Sequence, residues 1–491
     1  MTHRGAGSYL AFDLGASSGR AVIGTLDGSV MQMEEVHRFR TPMIEENGHL
    51  YWDIESLWAD FRVALVKTFA AVANLRSISV DSWAVDYVPL DGDGNALRNP
   101  YCYRDPRTAG RLDTAIRLAG GADALYERTG IQFLRFNTLP QVIADIEDEP
   151  EVVRATATRL LIAEYFLYRL SGRMVAEATM ASTTQLVDAH TGQWASSLIS
   201  AIGDDEKRWP PIVPCGTALG PVLRELLPEG ASESPVILAT CAHDTAAAVA
   251  AVPATTGRAW AFISSGTWSL IGAELDAPVL TREAREAGFT NEAGLDGTVR
   301  FLSNRAGMWV LEECRREWAD QGTRLSHEEL LRAAETASSM RGVVDLNAPE
   351  FAERGGMIAK LAAACRQSGI ALPETPGETV RLILESLAAS HADALDELAA
   401  LIGSPIDDVH VVGGGAMNDL LNQLTAHRSG RRVLAGPEEA TVLGNLLVQA
   451  RTLGCLPPGV SVRDAARSST RIREFTPRTG APAWDAASLA L

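Results

Sequence analysis

The chain has 491 residues, of which 46% are hydrophobic and 22% charged, so it predicts a globular protein of two large or three smaller domains and argues against disorder. Its 44 basic and 62 acidic residues give a net charge of -18, which argues against nucleic acid as a partner. The six cysteines lack CxxC or other ligand-like spacing, which indicates reduced, mostly buried thiols rather than a zinc site or a disulfide framework.

No apolar run approaches the roughly 18 residues of a membrane span, and the first residues lead into a strand without an apolar leader. We therefore expect a cytoplasmic protein with no membrane partner. The composition is compatible with a monomer or a homodimer.

The chain opens with a predicted antiparallel meander that begins at a glycine-rich loop. An apolar strand over residues 9–12 leads into the loop Asp13–Arg20, and two further strands follow around an Asp27-Gly28 hairpin signal. The glycines, serines and arginine of this loop suit contact with phosphate, and Asp13 suits magnesium, which prefers hard oxygen ligands. Because the spacing matches neither common phosphate-loop motif, a simple hairpin turn remains an alternative.

A helix over residues 54–72 and a strand over 75–80 come next, and residues 81–86 follow at the carboxyl end of that strand. Ligands of α/β sheets gather at such ends. Trp83 could offer its face to a polyol while Asp81 or Asp86 accepts hydroxyls, although structural packing of Trp83 is an equal alternative. Residues 105–230 are rich in helical patterns and are interpreted as insertions that shape a substrate pocket.

The segment Cys241–Thr245 places the acidic Asp244 between an apolar run and an alanine-rich helix. A carboxylate there can orient an attacking hydroxyl and accept its proton late in phosphoryl transfer, so Asp244 is a candidate general base. His243 could hydrogen-bond a sugar hydroxyl. The alternative role for Asp244 is the N-cap of the helix.

The second half repeats the opening order, with a strand over 261–263, a glycine turn over 264–267 and a returning strand over 268–273. Asn304 lies before an apolar helix, where capping is its alternative role. Residues 378–402 form a predicted amphipathic helix closed by Gly403.

A buried strand over residues 409–412 then leads into three glycines and a second helix from about Asp419. This order suits a phosphate or nucleotide platform, and a tight packing turn is the alternative. Residues after about 460 are predicted to be a surface tail.

Taken in order, these segments resemble the FGGY carbohydrate kinases of the actin-like ATPase superfamily. The segments that carry the resemblance span about residues 9–455: Asp13–Arg20, Asp81–Asp86, Tyr103–Asp105, Gly130–Phe133, Phe136–Thr138, His243–Thr245, Ser265–Leu270, Gly413–Gly415 and Gly436–Ala440.

The resemblance implies an α/β fold of two duplicated ribonuclease-H-like domains with ATP and sugar in the cleft between them. It implies a sugar-binding N-terminal domain over residues 1–250, a nucleotide-binding domain over 251–460 and a tail over 461–491. The implied reaction, with Mg2+, transfers the γ-phosphoryl group of ATP to O1 of a deoxy-ketose, first of all L-rhamnulose. L-Fuculose or another ketose is an alternative substrate, and a non-catalytic nucleotide-binding regulator is a more distant alternative.

Position by position, the resemblance makes Asp244 the catalytic base and Asp13 the metal ligand. It implies nucleotide contacts from Ala16, Ser17, Ser18, Gly19, Arg20, Thr267, Glu312, Gly413, Gly414 and Gly415. It implies substrate contacts from Ala84, His243, Asp244, Thr245 and Asn304. Two residues depart from the family pattern: Ala84 replaces a glycine and narrows the pocket, and Glu312 replaces a glutamine, so that a cation or Arg305 would have to offset its charge.

Overall fold

The structure is a computed structural model that describes residues 7–230, 233–255, 257–339 and 341–477. Within these ranges the strands are β1 Ser8–Leu14, β2 Ser18–Asp27, β3 Val30–Arg40, β4 Met43–Glu46, β5 His49–Trp52, β6 Leu75–Ser82, β7 Tyr87–Leu90, β8 Thr158–Leu161, β9 Ala176–Glu177, β10 Val187–Asp188, β11 Gln193–Trp194, β12 Ile212–Val213, β13 Thr217–Pro221, β14 Val236–Ala239, β15 Trp260–Ser265, β16 Trp268–Leu275, β17 Phe289–Ala293, β18 Val299–Ala306, β19 Asp408–Val412, β20 Arg432–Ala435 and β21 Arg473–Phe475. The α-helices are α1 Ile54–Ala71, α2 Arg111–Leu118, α3 Ala122–Thr129, α4 Thr138–Asp148, α5 Pro150–Ala155, α6 Ile162–Ser171, α7 Ala178–Ala181, α8 Ser196–Ala201, α9 Asp244–Ala250, α10 Arg282–Glu286, α11 Trp309–Asp320, α12 His327–Thr336, α13 Met357–Gln367, α14 Pro376–Ile402, α15 Asp419–Ser429, α16 Ala440–Thr452 and α17 Val462–Ser469.

The described residues divide into two compact units. Unit 1 comprises residues 7–253, 274–301 and 440–470, and unit 2 comprises residues 254–273, 302–439 and 471–477. Each unit is therefore assembled from segments that are distant in sequence.

Unit 1 is built on a sheet in the order β13-β14-β6-β1-β2-β3. Strands β1, β2 and β3 pair antiparallel in succession, whereas β1, β6 and β14 run parallel and β13 returns antiparallel. The predicted opening meander is confirmed. Because β1 and β6 are parallel, their carboxyl ends lie at the same edge of the sheet, where α/β proteins bind ligands.

Unit 2 repeats this arrangement with its strands in the order β18-β16-β15-β19-β20-β21. Strands β15 and β16 pair antiparallel, β15, β19 and β20 run parallel, and β21 returns antiparallel. The matching orders confirm two duplicated α/β units.

Helices cover both faces of the unit 1 sheet. On one face the rings of Phe12 and Phe61 stack with their centroids 3.9 Å apart, which ties β1 to α1. On the other face α16 packs against α9, where a Cβ on Gly444 would lie 1.9 Å from the carbonyl oxygen of Ala247. A glycine is therefore required where α16 approaches α9. Each large apolar side chain that is fully buried between the sheet and its helices contributes roughly 1.5–3 kcal/mol to the stability of the fold.

The long helix α14 forms much of the apolar core of unit 2. It begins with a capping box between Thr375 and Glu378 and ends at Gly403, whose φ of 64° lies in the left-handed region. The helix predicted over residues 378–402 is confirmed, since strong periodicity and both end signals are present in the sequence.

The predicted surface tail differs from the structure. Its described part contains α17, in which Val462, Ala465 and Ala466 are buried, and the strand β21. The three buried residues have helical spacing, but two of them are alanines and the helix has only eight residues, so its apolar signal in the sequence is weak. In the part of the chain that the structure describes, no helix is both long and apolar enough to cross a membrane.

Candidate active site

The candidate base lies in unit 1, at the start of α9. Asp244 is the first residue of this helix rather than its N-cap, which is His243. Its Oδ1 accepts hydrogen bonds from the amide of Thr245 at 2.5 Å and from Oγ1 of Thr245 at 3.1 Å. Within the described chain Oδ2 has no hydrogen-bond partner, and the side chain is 33% exposed. One carboxylate oxygen is thus fixed and the other is available to a ligand.

The imidazole of His243 lies against a buried ion pair. Nη2 of Arg300 lies 3.1 Å from Nδ1 of His243, and Nη1 of Arg300 lies 3.0 Å from Oε2 of Glu292. Because a guanidinium can only donate, Nδ1 acts as the acceptor, which leaves the ring proton on Nε2. Nε2 lies 3.3 Å from Oδ1 of Asp244, so the imidazole is oriented toward the fixed oxygen of the base.

The charge of Glu292 is governed by Arg300. Burial is the largest single influence and raises the pKa of Glu292, but the charge of Arg300 and the hydrogen bond and charge of His243 together outweigh burial, so the pKa lies below its ordinary value. The sequence reasoning missed both residues. Arg300 lies in β18 and Glu292 in β17, and both strands contain further polar residues, so neither charge stands out in the sequence.

The backbone before Asp244 is held from two sides. Oε2 of Glu177 accepts from the amide of Ala242 at 3.0 Å, and Oγ1 of Thr179 accepts from the amide of His243 at 3.3 Å. The amide of Ser82, at the end of β6, donates to the carbonyl of Ala242 at 2.9 Å. These contacts fix the position of the candidate base relative to the sheet edge.

Two further carboxylates lie at this edge of unit 1. Asp13 and Asp81 face each other across the parallel pair β1 and β6, and Arg20 is opposite Asp13 on β2. Nε and Nη2 of Arg20 both lie 2.9 Å from Oδ2 of Asp13, so Arg20 pairs with Asp13 here. Burial raises the pKa of Asp13, and the charge of Arg20 counteracts part of this shift. The pKa of Asp81 is also raised, first by burial and then by the negative charge of Asp13.

These carboxylates fit a hard divalent cation. Oδ1 of Asp81 is buried without a hydrogen-bond partner, whereas Oδ2 accepts from Asn445 at 2.6 Å. The negative charge of Asp244 adds to that of Asp13 and Asp81, and a cation would relieve this repulsion. Among the described residues, no group of three or more His, Cys, Asp or Glu side chains is arranged to hold a metal ion by itself. A cation would therefore need further ligands from water or substrate.

The glycine-rich loop after β1 exposes its tip. Ser17 and Ser18 are exposed and Ala16 is half-buried, so this tip can be reached by a ligand. Gly19 lies buried in β2, where a Cβ would be 2.4 Å from the ring of Phe39. Packing therefore requires a glycine at this position, and a contact of its backbone with phosphate stays a prediction.

Ala84 lies in a strained turn after β6. The amide of Asp86 donates to the carbonyl of Ala84 at 3.0 Å, and Val85 between them has a φ of 72°. A β-branched residue rarely adopts this γ-turn conformation, which costs of order 1–3 kcal/mol. The turn is held by Asp86, whose Oδ2 accepts from the indoles of Trp52 at 2.6 Å and Trp83 at 3.1 Å.

This arrangement settles the open question about Trp83. The indole is buried and packs against Trp52 in a tilted arrangement, with ring centroids 4.5 Å apart. Asp86 is also buried, and it accepts a further bond from Gln141 at 2.9 Å. Packing therefore explains Trp83 and Asp86. Ala84, in contrast, is only half-buried in this turn.

In unit 2 two loops meet at the shared carboxyl edge of β15 and β19. A Cβ on Gly415 would lie 2.0 Å from Oγ of Ser265, so the triple glycine allows close approach to the loop that carries Thr267. Gly413 has a φ of 80°, and Gly414 is exposed with no atom within 4 Å of an added Cβ. Thr267 and Gly414 thus expose an open platform of backbone and hydroxyl groups.

Glu312 lies in the first turn of α11 and is 44% exposed. Its carboxylate pairs with Arg315 at 2.7 Å and with His327 at 2.9 Å. Arg305, which was expected to offset this charge, pairs with Glu397 instead. The offset therefore comes from Arg315, in the next turn of the same helix.

Asn304 lies in β18, and α11 begins only at Trp309. Helix capping therefore does not explain Asn304.

The predicted site residues are divided between the two units. Unit 1 contains Asp13, Ala16–Arg20, Ala84 and His243–Thr245, and unit 2 contains Thr267, Asn304, Glu312 and Gly413–Gly415.

Two duplicated α/β units, each with polar loops at the carboxyl edge of its sheet, define the fold class of actin-like ATPases. The model of the N-terminal domain of the FGGY family of carbohydrate kinases matches residues 8–251, and that of the C-terminal domain matches residues 261–453. The chain belongs to the FGGY family of carbohydrate kinases. Family membership favours an enzyme over a regulator without sugar chemistry.

The chain is similar to curated rhamnulokinases along nearly its whole length. The protein from Bacteroides thetaiotaomicron is 40% identical over 98% of this chain and 98% of its own length. The protein from Bacillus subtilis is 38% identical over 96% of this chain and 95% of its own length.

Solved structures share the fold. A ligand-bound xylulose kinase from Lactobacillus acidophilus has a TM-score of 0.78 at 17% identity and covers 96% of this chain and 94% of its own. Plasmodium falciparum glycerol kinase with ADP has a TM-score of 0.77 at 16% identity, with the same two coverages.

Proposed function

We propose that this enzyme transfers the γ-phosphoryl group of ATP to O1 of L-rhamnulose, giving L-rhamnulose 1-phosphate and ADP. The observation that carries the proposal is the available Oδ2 of Asp244 in a chain that resembles rhamnulokinases over nearly its whole length. The same similarity favours L-rhamnulose over L-fuculose or another ketose.

Asp244 is the general base of the proposed reaction. Thr245 occupies Oδ1 with two hydrogen bonds, and the Nε2 proton of His243 faces the same oxygen. The substrate hydroxyl then bonds to Oδ2, which orients it for attack on the γ-phosphorus and accepts its proton as the bond to phosphorus forms. Fixed donors on Oδ1 keep Oδ2 in one position, which favours a productive geometry.

The remaining residues of unit 1 have two proposed roles. Ala84, His243 and Thr245 contact the ketose, and the strained turn at Val85 holds Ala84 in place. Asp13, supported by Asp81, would hold Mg2+, and the cation would supply positive charge against the negative charge that develops on the phosphates. Ala16–Arg20 approach the phosphates through the exposed loop tip.

Unit 2 supplies the proposed nucleotide contacts. Thr267 and Gly414 offer backbone and hydroxyl groups on the open platform, and Gly413 and Gly415 are proposed contacts on either side of Gly414. The amide of Gly413 itself donates to the carbonyl of Pro437 at 3.1 Å. Glu312 lies on the helix that starts beside this platform. The amide of Trp309 donates to the carbonyl of Thr267 at 3.2 Å, which couples α11 to this loop.

Asn304 is a further proposed contact to the ketose. Because ATP is an intracellular substrate, the proposal also implies a cytoplasmic enzyme, either monomeric or homodimeric.

The test is ADP release by the purified protein with ATP and Mg2+ across L-rhamnulose, L-fuculose, L-ribulose, D-xylulose, D-fructose and glycerol. The expected result is the highest kcat/KM with L-rhamnulose. Ala84→Gly, which removes one methyl group, should change the preference among ketoses by about 10- to 200-fold at most, because a single methylene contributes about 1–3 kcal/mol to discrimination. Preference for another ketose would contradict the assignment of L-rhamnulose as the substrate. Absence of stimulation by any sugar would contradict the proposal that the protein is a sugar kinase.

A further inference from the structure

Two cysteines lie side by side just before the candidate base. Sγ of Cys215 and Sγ of Cys241 are 3.3 Å apart, closer than any other pair of thiols that the structure describes. The antiparallel pair β13 and β14 aligns Thr217 with Ala239, and the amide of Gly216 donates to the carbonyl of Ala239 at 2.7 Å. Two residues further along this register, Cys215 lies opposite Cys241.

The pair has an accessible and a protected member. Cys215 is half-buried, whereas Cys241 is fully buried, so a small oxidant can reach the first thiol and the second can act as the resolving partner. A disulfide requires the sulfurs to be about 2.05 Å apart, so they must approach by about 1.2 Å. The cross-strand placement already brings both side chains to the same side.

We propose that Cys215 and Cys241 form a reversible disulfide on exposure to a hydroperoxide, and that this bond slows the kinase by displacing the segment that carries Asp244. The Cys215 thiolate attacks the peroxide oxygen and forms a sulfenic acid, which releases one water from hydrogen peroxide. The Cys241 thiol then attacks that sulfur, the S–S bond forms, and the sulfenic oxygen leaves as a second water. Two thiols and one peroxide thus give one disulfide and two waters, and a dithiol reductant reverses the change.

The neighbouring backbone carries the effect to the site. Ala242 follows Cys241 directly, and its amide and carbonyl bond to Glu177 and Ser82. Contraction at Cys241 competes with these bonds, and a displacement of about 1 Å at a catalytic group can cost about 100-fold in rate. The consequence for turnover rests on the proposed function, whereas disulfide formation does not.

The reaction with peroxide should be slow at neutral pH. The hydrogen bond with Cys241, followed by burial, raises the pKa of Cys215 well above its ordinary value, which keeps most of the thiol protonated. Oxidation should therefore accelerate as the pH rises.

The experiment compares reduced protein with protein treated with hydrogen peroxide and then digested with trypsin. Cleavage at Arg208, Arg224 and Arg258 gives peptides 209–224 and 225–258, which contain Cys215 and Cys241 as their single cysteines. We expect these peptides to be linked and sugar-dependent ADP release to fall by at least about tenfold, with dithiothreitol restoring both. The link and the inactivation should be absent in Cys215→Ser and Cys241→Ala and retained in the bystander variant Cys455→Ser.

Absence of the linked peptides would overturn the site, and inactivation that persists in Cys215→Ser would overturn its role. A linked protein with unchanged turnover would overturn the effect on Asp244. Because mass spectrometry reads the link directly, a protein without kinase activity would contradict the proposed function and still decide whether the disulfide forms.

Discussion

Arg300 and His243 are linked through a 3.1 Å contact between Nη2 and Nδ1, although the side chain of Arg300 is fully buried. The contact assigns the ring proton of His243 to the nitrogen that faces Asp244. Glu292 completes the arrangement, because its carboxylate balances the charge of Arg300 at 3.0 Å. A buried ion pair therefore orients the imidazole beside the candidate base.

Removal of Arg300 should be strongly destabilising. Arg300→Met leaves Glu292 buried without its guanidinium partner and with Nδ1 of His243, 3.3 Å away, as a remaining contact, which costs about 3–5 kcal/mol in the free energy of unfolding. The double variant Arg300→Met with Glu292→Gln should recover much of this loss because no buried charge remains. Urea unfolding measures the free energy of unfolding of the single and the double variant. The control Arg282→Met, which breaks an exposed ion pair, should change this free energy little. Equal loss in the single and double variants would contradict this account.

Asp86 should make stability fall with rising pH. Burial raises its pKa from 3.8 to about 6, although hydrogen bonds from Trp52, Gln141 and Trp83 counteract this. In that pH window the folded state holds a proton that the unfolded state has released, so the free energy of unfolding falls by about 3 kcal/mol as the pH rises through it. Thermal unfolding from pH 4 to 7 measures this change. The Tm of Asp86→Asn should depend less on pH than the Tm of the control Asp276→Asn, and parallel curves would contradict the raised pKa of Asp86.

Gly414 and Gly415 should respond differently to alanine. A Cβ on Gly415 would meet Oγ of Ser265 at 2.0 Å, so Gly415→Ala should lower both Tm and ATP binding. Gly414 has open space, so Gly414→Ala should keep its Tm and raise the KM for ATP by about tenfold, which corresponds to about 1.4 kcal/mol. Gly92→Ala, another substitution into open space, is the control. An unchanged KM in Gly414→Ala would remove Gly414 from the nucleotide site.

The duplicated fold was predictable because its signals are local. Short continuous apolar runs mark β1 and β15, and helix α14 has both periodicity and caps in the sequence. The turn at Val85 was not predictable, since a β-branched residue is disfavoured at positive φ and only the bonds to Asp86 reveal it.

The environment of the candidate base was also hidden. Glu292 and Arg300 lie about 50 residues beyond Asp244 in sequence, and their contact with His243 depends on how distant segments pack in unit 1. The same holds for Glu312, whose charge is offset by Arg315 rather than by Arg305. Sequence patterns identify such charges, but only the fold pairs them.

Glu312 should weaken ATP binding slightly in the proposed site. Glu312→Gln removes a negative charge near the phosphates, so the KM for ATP should fall by about two- to fivefold at low ionic strength and by less at high salt, which screens exposed charges. Steady-state kinetics at two salt concentrations measures this change. Glu328→Gln, on the neighbouring helix α12, is the matched control. A higher KM in Glu312→Gln would show that the carboxylate itself assists binding.

The most direct test of the account is the rate of L-rhamnulose-dependent ADP release in Asp244→Asn compared with the wild type. Asparagine keeps the size of the side chain and an acceptor for Thr245 but cannot take the proton, so kcat should fall by about 100- to 10,000-fold while Tm and ATP binding are retained. A turnover rate near that of the wild type in a folded Asp244→Asn protein would contradict the assignment of Asp244 as the base.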